Sequence, residues 1–338
     1  MDARAALCYN GLTEVMPMKK ELTRLRGELL GRYQVRKSAE QKSAFRQWAR
    51  DYAQALGYEV KIERSGHFVD TRNVVIGDVD RAKTLITAHY DTCARLPFPN
   101  VMTPQNWPLI IVTQALVPML FLGVLGLGVG YAAGWLVHQL PVPEWAGLML
   151  CSLMSLLLMI VVVALLICGP ANPHTANDNT SGVALTLLAL HAFAGRSDVA
   201  FVLFDNEEKG FLGSTAFTKA HPAAAKRAFV INLDCISDGH TLLYAGSKEV
   251  MESAQARDVA AALAQVAPRY DRVARTDTAP GTFYPSDQLV FRRGTAFAAL
   301  QGKRVLYLSR IHTPRDTQFD ERNLLCLLEV LTKALKQE

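Results

Sequence analysis

Hydrophobic and polar positions follow two rhythms along this chain, and one long stretch obeys neither. Residues 18–33 set leucines at 22, 25, 29 and 30 among Lys, Arg and Glu, the spacing of an amphipathic helix. Ser38-Ala-Glu-Gln41 matches a capping box and predicts a second helix to about Leu56, stopped by Gly57. Strands are expected near 58–64 and 68–76. Thr84-Leu-Ile-Thr-Ala88 is uniformly apolar, which suits a strand covered on both faces. Further on, the pattern predicts a helix from Gly182 to about Phe193, strands at 199–204, 228–233 and 241–245, and a helix at about 250–266. Two more strands are expected at 295–300 and 304–309, then a closing amphipathic helix over Glu321–Lys336. Strands alternating with helices predict an α/β layered sheet.

The stretch that breaks the pattern lies between Arg95 and Asp178, where Glu144 is the only formally charged residue. Leu109–Leu140 and Ala146–Cys168 are each long enough to cross a bilayer of ~30 Å at ~1.5 Å per residue. Trp107, Trp135 and Trp145 stand near their ends, as interfacial aromatics do. Pro118 and the glycines at 123, 126, 128 and 130 would weaken a soluble helix but are tolerated in membrane helices. The short link Pro141-Val-Pro-Glu-Trp145 makes this a transmembrane helical hairpin, the alternative being a buried helical pair inside a large core. The expected organisation is therefore a first catalytic half at 1–96, the hairpin insertion at 97–170, and a second catalytic half at 171–338.

Composition narrows the class. Half of the 338 residues are hydrophobic and 20% are charged, with a net charge of +5. The basic residues are scattered and not interleaved with aromatics, so nucleic acid is not an expected partner. Six cysteines without Cys-x-x-Cys spacing fit unpaired thiols in a reducing compartment. The N-terminal segment has no apolar run of signal-peptide length, and the Pro141–Trp145 link has no Lys or Arg. Both observations predict an integral membrane protein with two transmembrane helices, its catalytic part and both termini cytoplasmic.

The chemistry gathers where apolar runs end. Phe201-Val-Leu-Phe204 stops abruptly at Asp205, Glu207 and Glu208, and crowded carboxylates of this kind call for a compensating cation. In open α/β sheets ligands sit at the carboxyl ends of strands. Four strand ends and one helix start offer His89, Asp178, Glu208, Asp234 and His312, a mixed N/O set suited to zinc or a similar divalent metal. Two histidines and three carboxylates are too many for one tetrahedral site that keeps a place for water. They fit two metals bridged by one carboxylate. Asp91 is placed to accept the second N–H of the His89 imidazole. Glu207, not needed as a ligand, is a candidate to take a proton from a metal-activated water.

In order and flanking glycines these motifs resemble a known pattern. His89-Tyr-Asp91, Asn177-Asp-Asn-Thr-Ser-Gly182, Glu207-Glu208-Lys-Gly-Phe-Leu-Gly-Ser214, Asn232-Leu-Asp234 and His312-Thr-Pro-Arg-Asp-Thr317 resemble the di-zinc aminopeptidase family that also contains the glutaminyl cyclases, metallopeptidase family twenty-eight of clan MH. The resemblance covers about residues 35–96 and 170–337. It implies a mixed, mostly parallel central sheet with helices on both faces, here interrupted by the hairpin. It implies two Zn²⁺ per chain: His89 and Asp234 on one, Glu208 and His312 on the other, Asp178 bridging. It implies Glu207 as general base and acid and Asp91 as the residue orienting His89. Ser286-Asp-Gln-Leu-Val-Phe291 is similar to the family's Ser-Asp-His segment, with Gln288 where a histidine is usual, so Asp287 is a candidate substrate contact. Tyr284 is a candidate donor to a developing oxyanion, packing being the alternative. The expected activity is an aminopeptidase acting on peptides with a free N-terminus, including membrane-associated ones. A cyclising aminoacyltransferase of the glutaminyl cyclase kind and a non-catalytic receptor domain are the alternatives.

Overall fold

The computed structural model describes residues 3–66 and 69–336. One eight-stranded sheet runs through it: β1 (Val60–Ser65), β2 (Thr71–Ile76), β3 (Thr84–His89), β4 (Val199–Phe204), β5 (Phe229–Leu233), β6 (Thr241–Ser247), β7 (Val273–Ala279) and β8 (Gly294–Leu300). Their order across the sheet is β1-β2-β4-β3-β5-β8-β6-β7. The central four, β4, β3, β5 and β8, are parallel to one another, whereas β2 and β6 join them antiparallel. Every residue of those four strands is buried. This is what continuous apolar runs with helices on both faces require.

One face of the sheet is covered by the helices Ala3–Arg32, Ala39–Ala55, Gly182–Ala192, Ala254–Val266 and Glu321–Ala334, which bring Leu25, Phe45, Leu188, Leu263 and Leu327 into the main core. The other face carries Leu212–Ala220 and Pro222–Arg227 through Phe217 and Ala225. Ser38 caps its helix as the sequence indicates, its side chain accepting from the Gln41 N–H while Gln41 bonds back.

One expectation cannot be placed, one differs from what forms, and one strand forms that was not expected. The start of the second strand, at Phe68, lies outside the described residues. Residues 304–309 make no strand and pair only through single bridges, Gln301 with Tyr307 and Met102 with Leu308. Both edges of β8 are already taken by β5 and β6, so this segment turns at Gly302 (φ +87°) and folds across the strand ends instead. β7 was not expected at all. Val-Ala-Arg-Thr-Asp-Thr-Ala is too polar to read as a strand, and it forms because the free edge of β6 accepts it in parallel register.

The stretch with Glu144 as its single charge forms two antiparallel helices, Trp107–His138 and Glu144–Cys168, the first with one wide turn over Ile111–Leu116. They pack on each other and leave their flanks bare, with Leu127 78% and Tyr131 82% exposed. The apolar windows of the two are 6% and 0% buried, so they are not core helices of the α/β layers.

Candidate metal centre

Parallel register sets three strand ends side by side. His89, the last residue of β3, pairs with Phe204 at the end of β4, and Thr87 with Asn232 near the end of β5. Each chain then turns upward carrying a polar side chain: His89 itself, Glu207 and Glu208 just past β4, and Asp234 just past β5. Asp178 comes from the loop before the helix Gly182–Ala192. That loop lies so close to β5 that a Cβ on Gly182 would stand 2.2 Å from the Leu233 carbonyl oxygen. A Cβ on Gly213 would meet the Asp205 carbonyl oxygen at 2.3 Å, so the turn after Glu208 also depends on a glycine. His312 arrives from the segment folded over the strand ends.

The side chains converge. His89 Nε2 is 3.3 Å from Asp178 Oδ1 and 3.5 Å from Asp234 Oδ1. His312 Nε2 is 3.1 Å from Asp178 Oδ2 and 3.3 Å from Glu208 Oε2. Asp178 thus turns one oxygen toward each histidine, and two donor groups share it. His89, Asp178 and Asp234 place ligand atoms within 4.8 Å of one another, and so do Cys93, Glu208 and His312. Asp91 has a fuller part than its sequence position indicates. Its carboxylate accepts the backbone N–H of Glu207 (2.9 Å) and of Glu208 (3.3 Å), fixing the turn that presents both. His89 Nδ1 lies 3.2 Å from the Asp91 carbonyl oxygen and 3.6 Å from its carboxylate.

The electrostatics favour a cation. Burial raises the Glu208 carboxyl to about 8, with Asp178 and Asp91 adding to the effect against the pull of the two histidines. Burial likewise holds Glu207 well above the usual carboxylate range, helped by Glu208, Asp287 and Asp234 and opposed by His89. Burial alone would lower His312, yet Glu208 and Asp178 outweigh it and raise the imidazole to about 9. Glu208 Oε1 and Asp234 Oδ1 are buried without a hydrogen-bond partner among the described residues. So many crowded, under-satisfied acceptors are a destabilising arrangement in the bare protein and a fitting one around divalent ions. The donor set fits zinc.

Around the centre, buried residues that the sequence does not single out lock the loops. Arg36 donates to the Tyr90 carbonyl oxygen and, at 3.1 Å, to Thr180 Oγ1, tying the His89–Asp91 loop to the Asp178 loop. Asp316 accepts the N–H groups of Asn177 (2.8 Å) and Asp178 (3.0 Å). Lys42 reaches Asp205 at 2.6 Å and Asn206 at 2.7 Å, below the Glu207 turn. Tyr284 donates to the Asp234 carbonyl oxygen at 3.2 Å and lines the cleft. Asp287 is fully buried with both carboxylate oxygens unpartnered among the described residues, and burial lifts it to about 7. Gln288 bonds the Tyr284 carbonyl oxygen and Asn232, so it serves as packing beneath the floor.

Comparison with known proteins agrees with this architecture. Residues 163–324 match the profile described as "Peptidase family M28". No curated protein matches the chain in sequence. Among solved structures, the chain is similar to a Porphyromonas gingivalis glutaminyl cyclase at 16% identity, covering 95% of this chain and 97% of that one, with a TM-score of 0.57. A Zn-dependent exopeptidase from Parabacteroides distasonis aligns at 13% identity over 96% and 98% of the two chains, TM-score 0.57. A leucine aminopeptidase precursor from Bacteroides thetaiotaomicron aligns at 13% over 96% and 97%, TM-score 0.56. At these identities the likeness establishes the fold.

Proposed function

We propose that this chain, which belongs to peptidase family M28, is a membrane-anchored zinc metallopeptidase that removes N-terminal residues from peptides. The observation that carries the reading is Asp178, whose two oxygens face His89 and His312 separately and so join two donor groups into one centre. Zinc ions held by His89, Asp178 and Asp234 on one side and Asp178, Glu208 and His312 on the other would polarise a peptide carbonyl and make a water molecule more acidic. Glu207 takes the proton of the attacking water and passes it to the leaving amine. The Asp91 carboxylate holds the Glu207–Glu208 backbone in place while this happens. The presence of all five metal donors mildly favours hydrolysis over cyclisation, and the presence of Glu207 argues against a non-catalytic receptor domain.

The experiment is a panel of aminoacyl chromogenic substrates and N-terminal Gln peptides, assayed with zinc and with chelator. Release of free N-terminal amino acids supports the aminopeptidase, whereas ammonia from Gln peptides without hydrolysis identifies a cyclase. Metal analysis of the purified chain should approach two zinc equivalents, and chelation should abolish turnover. A chain that saturates at one equivalent would leave the Asp178 bridge without a purpose.

The membrane part of the proposal rests on length and exposure. Helices of 32 and 25 residues are about 48 and 37 Å long, enough to cross a hydrocarbon core of about 30 Å. Both ends of the hairpin join the catalytic α/β layers, so only the Gln139–Pro143 link reaches the far side. It has no Lys or Arg, in line with a place on the non-cytoplasmic face. A cysteine placed at Glu144, in a chain with its six natural cysteines replaced, should react with an impermeant thiol reagent in intact cells. Labelling of cysteines in the α/β layers instead would invert the topology.

A further inference from the structure

The two apolar helices are unequal, and the excess is not idle. The first has 32 residues and the second 25, a difference of 7 residues or about 10 Å. Gly130 lies against Ser155 and Gly126 against Met159, so the pair is in register from their common Gln139–Pro143 end. Counted along that register, Cys168 stands level with Val117. Everything before Val117, Gln114 included, overshoots the partner helix. Lys37 marks the same level from the catalytic side, its ammonium donating to the Ile167 carbonyl oxygen at 3.1 Å, where a cation suits a helix C-terminus and a lipid headgroup region alike.

The overshoot is docked on the catalytic layers. Trp107 Nε1 donates to the Pro280 carbonyl oxygen at 2.8 Å, and its ring stacks on Phe283 with centroids 5.2 Å apart. Its wide turn, Ile111–Leu116, is a helix geometry frequent at functional positions. Gln114 sits within that turn, a strongly polar side chain in a largely apolar helix, and it lines the same cleft of about 280 Å³ as His89, Glu207 and His312. Its amide nitrogen donates to Asn100 Oδ1 (3.0 Å) and to the Val101 carbonyl oxygen (2.7 Å). A carbonyl oxygen can only accept, so the amide orientation is fixed and Gln114 Oε1 is the end left for the cleft. The neighbouring wall is apolar: Met102, Leu308 and Ile311.

Resting on the peptidase reading above, we propose that Gln114 is a substrate-binding residue whose amide oxygen accepts a backbone N–H of the bound peptide. The same geometry selects the substrate class. A peptide that enters beside Gln114 continues along the first apolar helix at the bilayer surface, so the favoured substrates carry an apolar segment behind a free N-terminus.

The test uses the full chain in detergent, zinc-loaded and carrying Glu207→Gln so that peptides bind without turnover. A fluorescent peptide with an apolar tail and a photoreactive residue in that tail is the probe. Gln114→Leu should weaken its binding roughly three- to tenfold, the loss of one hydrogen bond, with zinc content unchanged. The tail should cross-link within Trp107–Phe121. An unchanged affinity, or cross-links confined to the α/β layers, would overturn the proposal. Failure of the peptidase reading looks different: the wild-type chain would release no amino acid while binding and cross-linking persist. Intact hydrolysis with Gln114→Leu binding as tightly as its parent would sink this inference alone.

Discussion

Replacing Glu207 by Gln is expected to lower turnover by ~10²–10⁴-fold while zinc content stays at the wild-type level. Gln keeps the size and the backbone of Glu. The Glu207 N–H would still bond Asp91 at 2.9 Å, and the Glu208 N–H would still bond its other oxygen. The presented turn therefore survives, and with it Glu208 as a metal donor. What disappears is the ability to accept a proton. In the metal-free chain burial pushes the Glu207 carboxyl well up, with Glu208, Asp287 and Asp234 all acting in the same direction and His89 opposing. A carboxylate in such surroundings is a stronger base than a solvated one, which is the property a proton shuttle needs. The predicted loss corresponds to about 3–5 kcal/mol in the barrier. Steady-state turnover beside metal analysis on the same preparation decides it. Activity above about a tenth of wild type would remove Glu207 from this role.

How much of this was legible in the sequence follows from the kind of contact involved. The donors His89, Glu208 and Asp234 stand at or just past the ends of apolar strands, and parallel pairing of those strands brings the ends together whatever the loops do. Asp178 was placed at a helix start by its motif, whereas His312 was placed at the end of a strand over 304–309 that does not form, and it arrives instead from the segment folded across the strand ends. The supporting residues were not legible. Arg36 lies 54 residues from Tyr90 and 144 from Thr180, and only the finished tertiary structure relates them. Cys93, inside the loop after His89, gave no spacing signal, yet it stands with Glu208 and His312. Asp91 was read as a partner of His89, a short-range relation that its carboxylate keeps at 3.6 Å, but its bonds to the turn after β4 left no signal. Strand existence followed the same logic. β3 and β4 were plain because burial on both faces demands an apolar run, and β7 was hidden because an edge strand does not. Gln114 did leave a signal, an amide within an apolar stretch, but its meaning depends on which way the helix faces.

The second large effect is expected at the bridge. Asp178→Ala should empty both metal positions and lower activity by about three orders of magnitude or more. Asp234→Ala, by contrast, should spare the Glu208–His312 side. The difference follows from geometry: Asp178 Oδ1 faces His89 at 3.3 Å and Oδ2 faces His312 at 3.1 Å, so one carboxylate serves both histidines at once. Without it, His89 keeps Asp234 with Glu207 and Glu208 nearby, and His312 keeps Glu208 with Cys93 nearby. The alanine also removes the carboxylate that pairs with both imidazoles, so in chelator the variant should unfold earlier than the metal-free wild type. Zinc should then raise the melting temperature of the wild type, because an ion bound only by the folded state stabilises it, and should raise that of the variant far less. Retention of one tightly held zinc by Asp178→Ala, with its thermal gain, would mean that the two donor groups work independently and that the centre is not bridged.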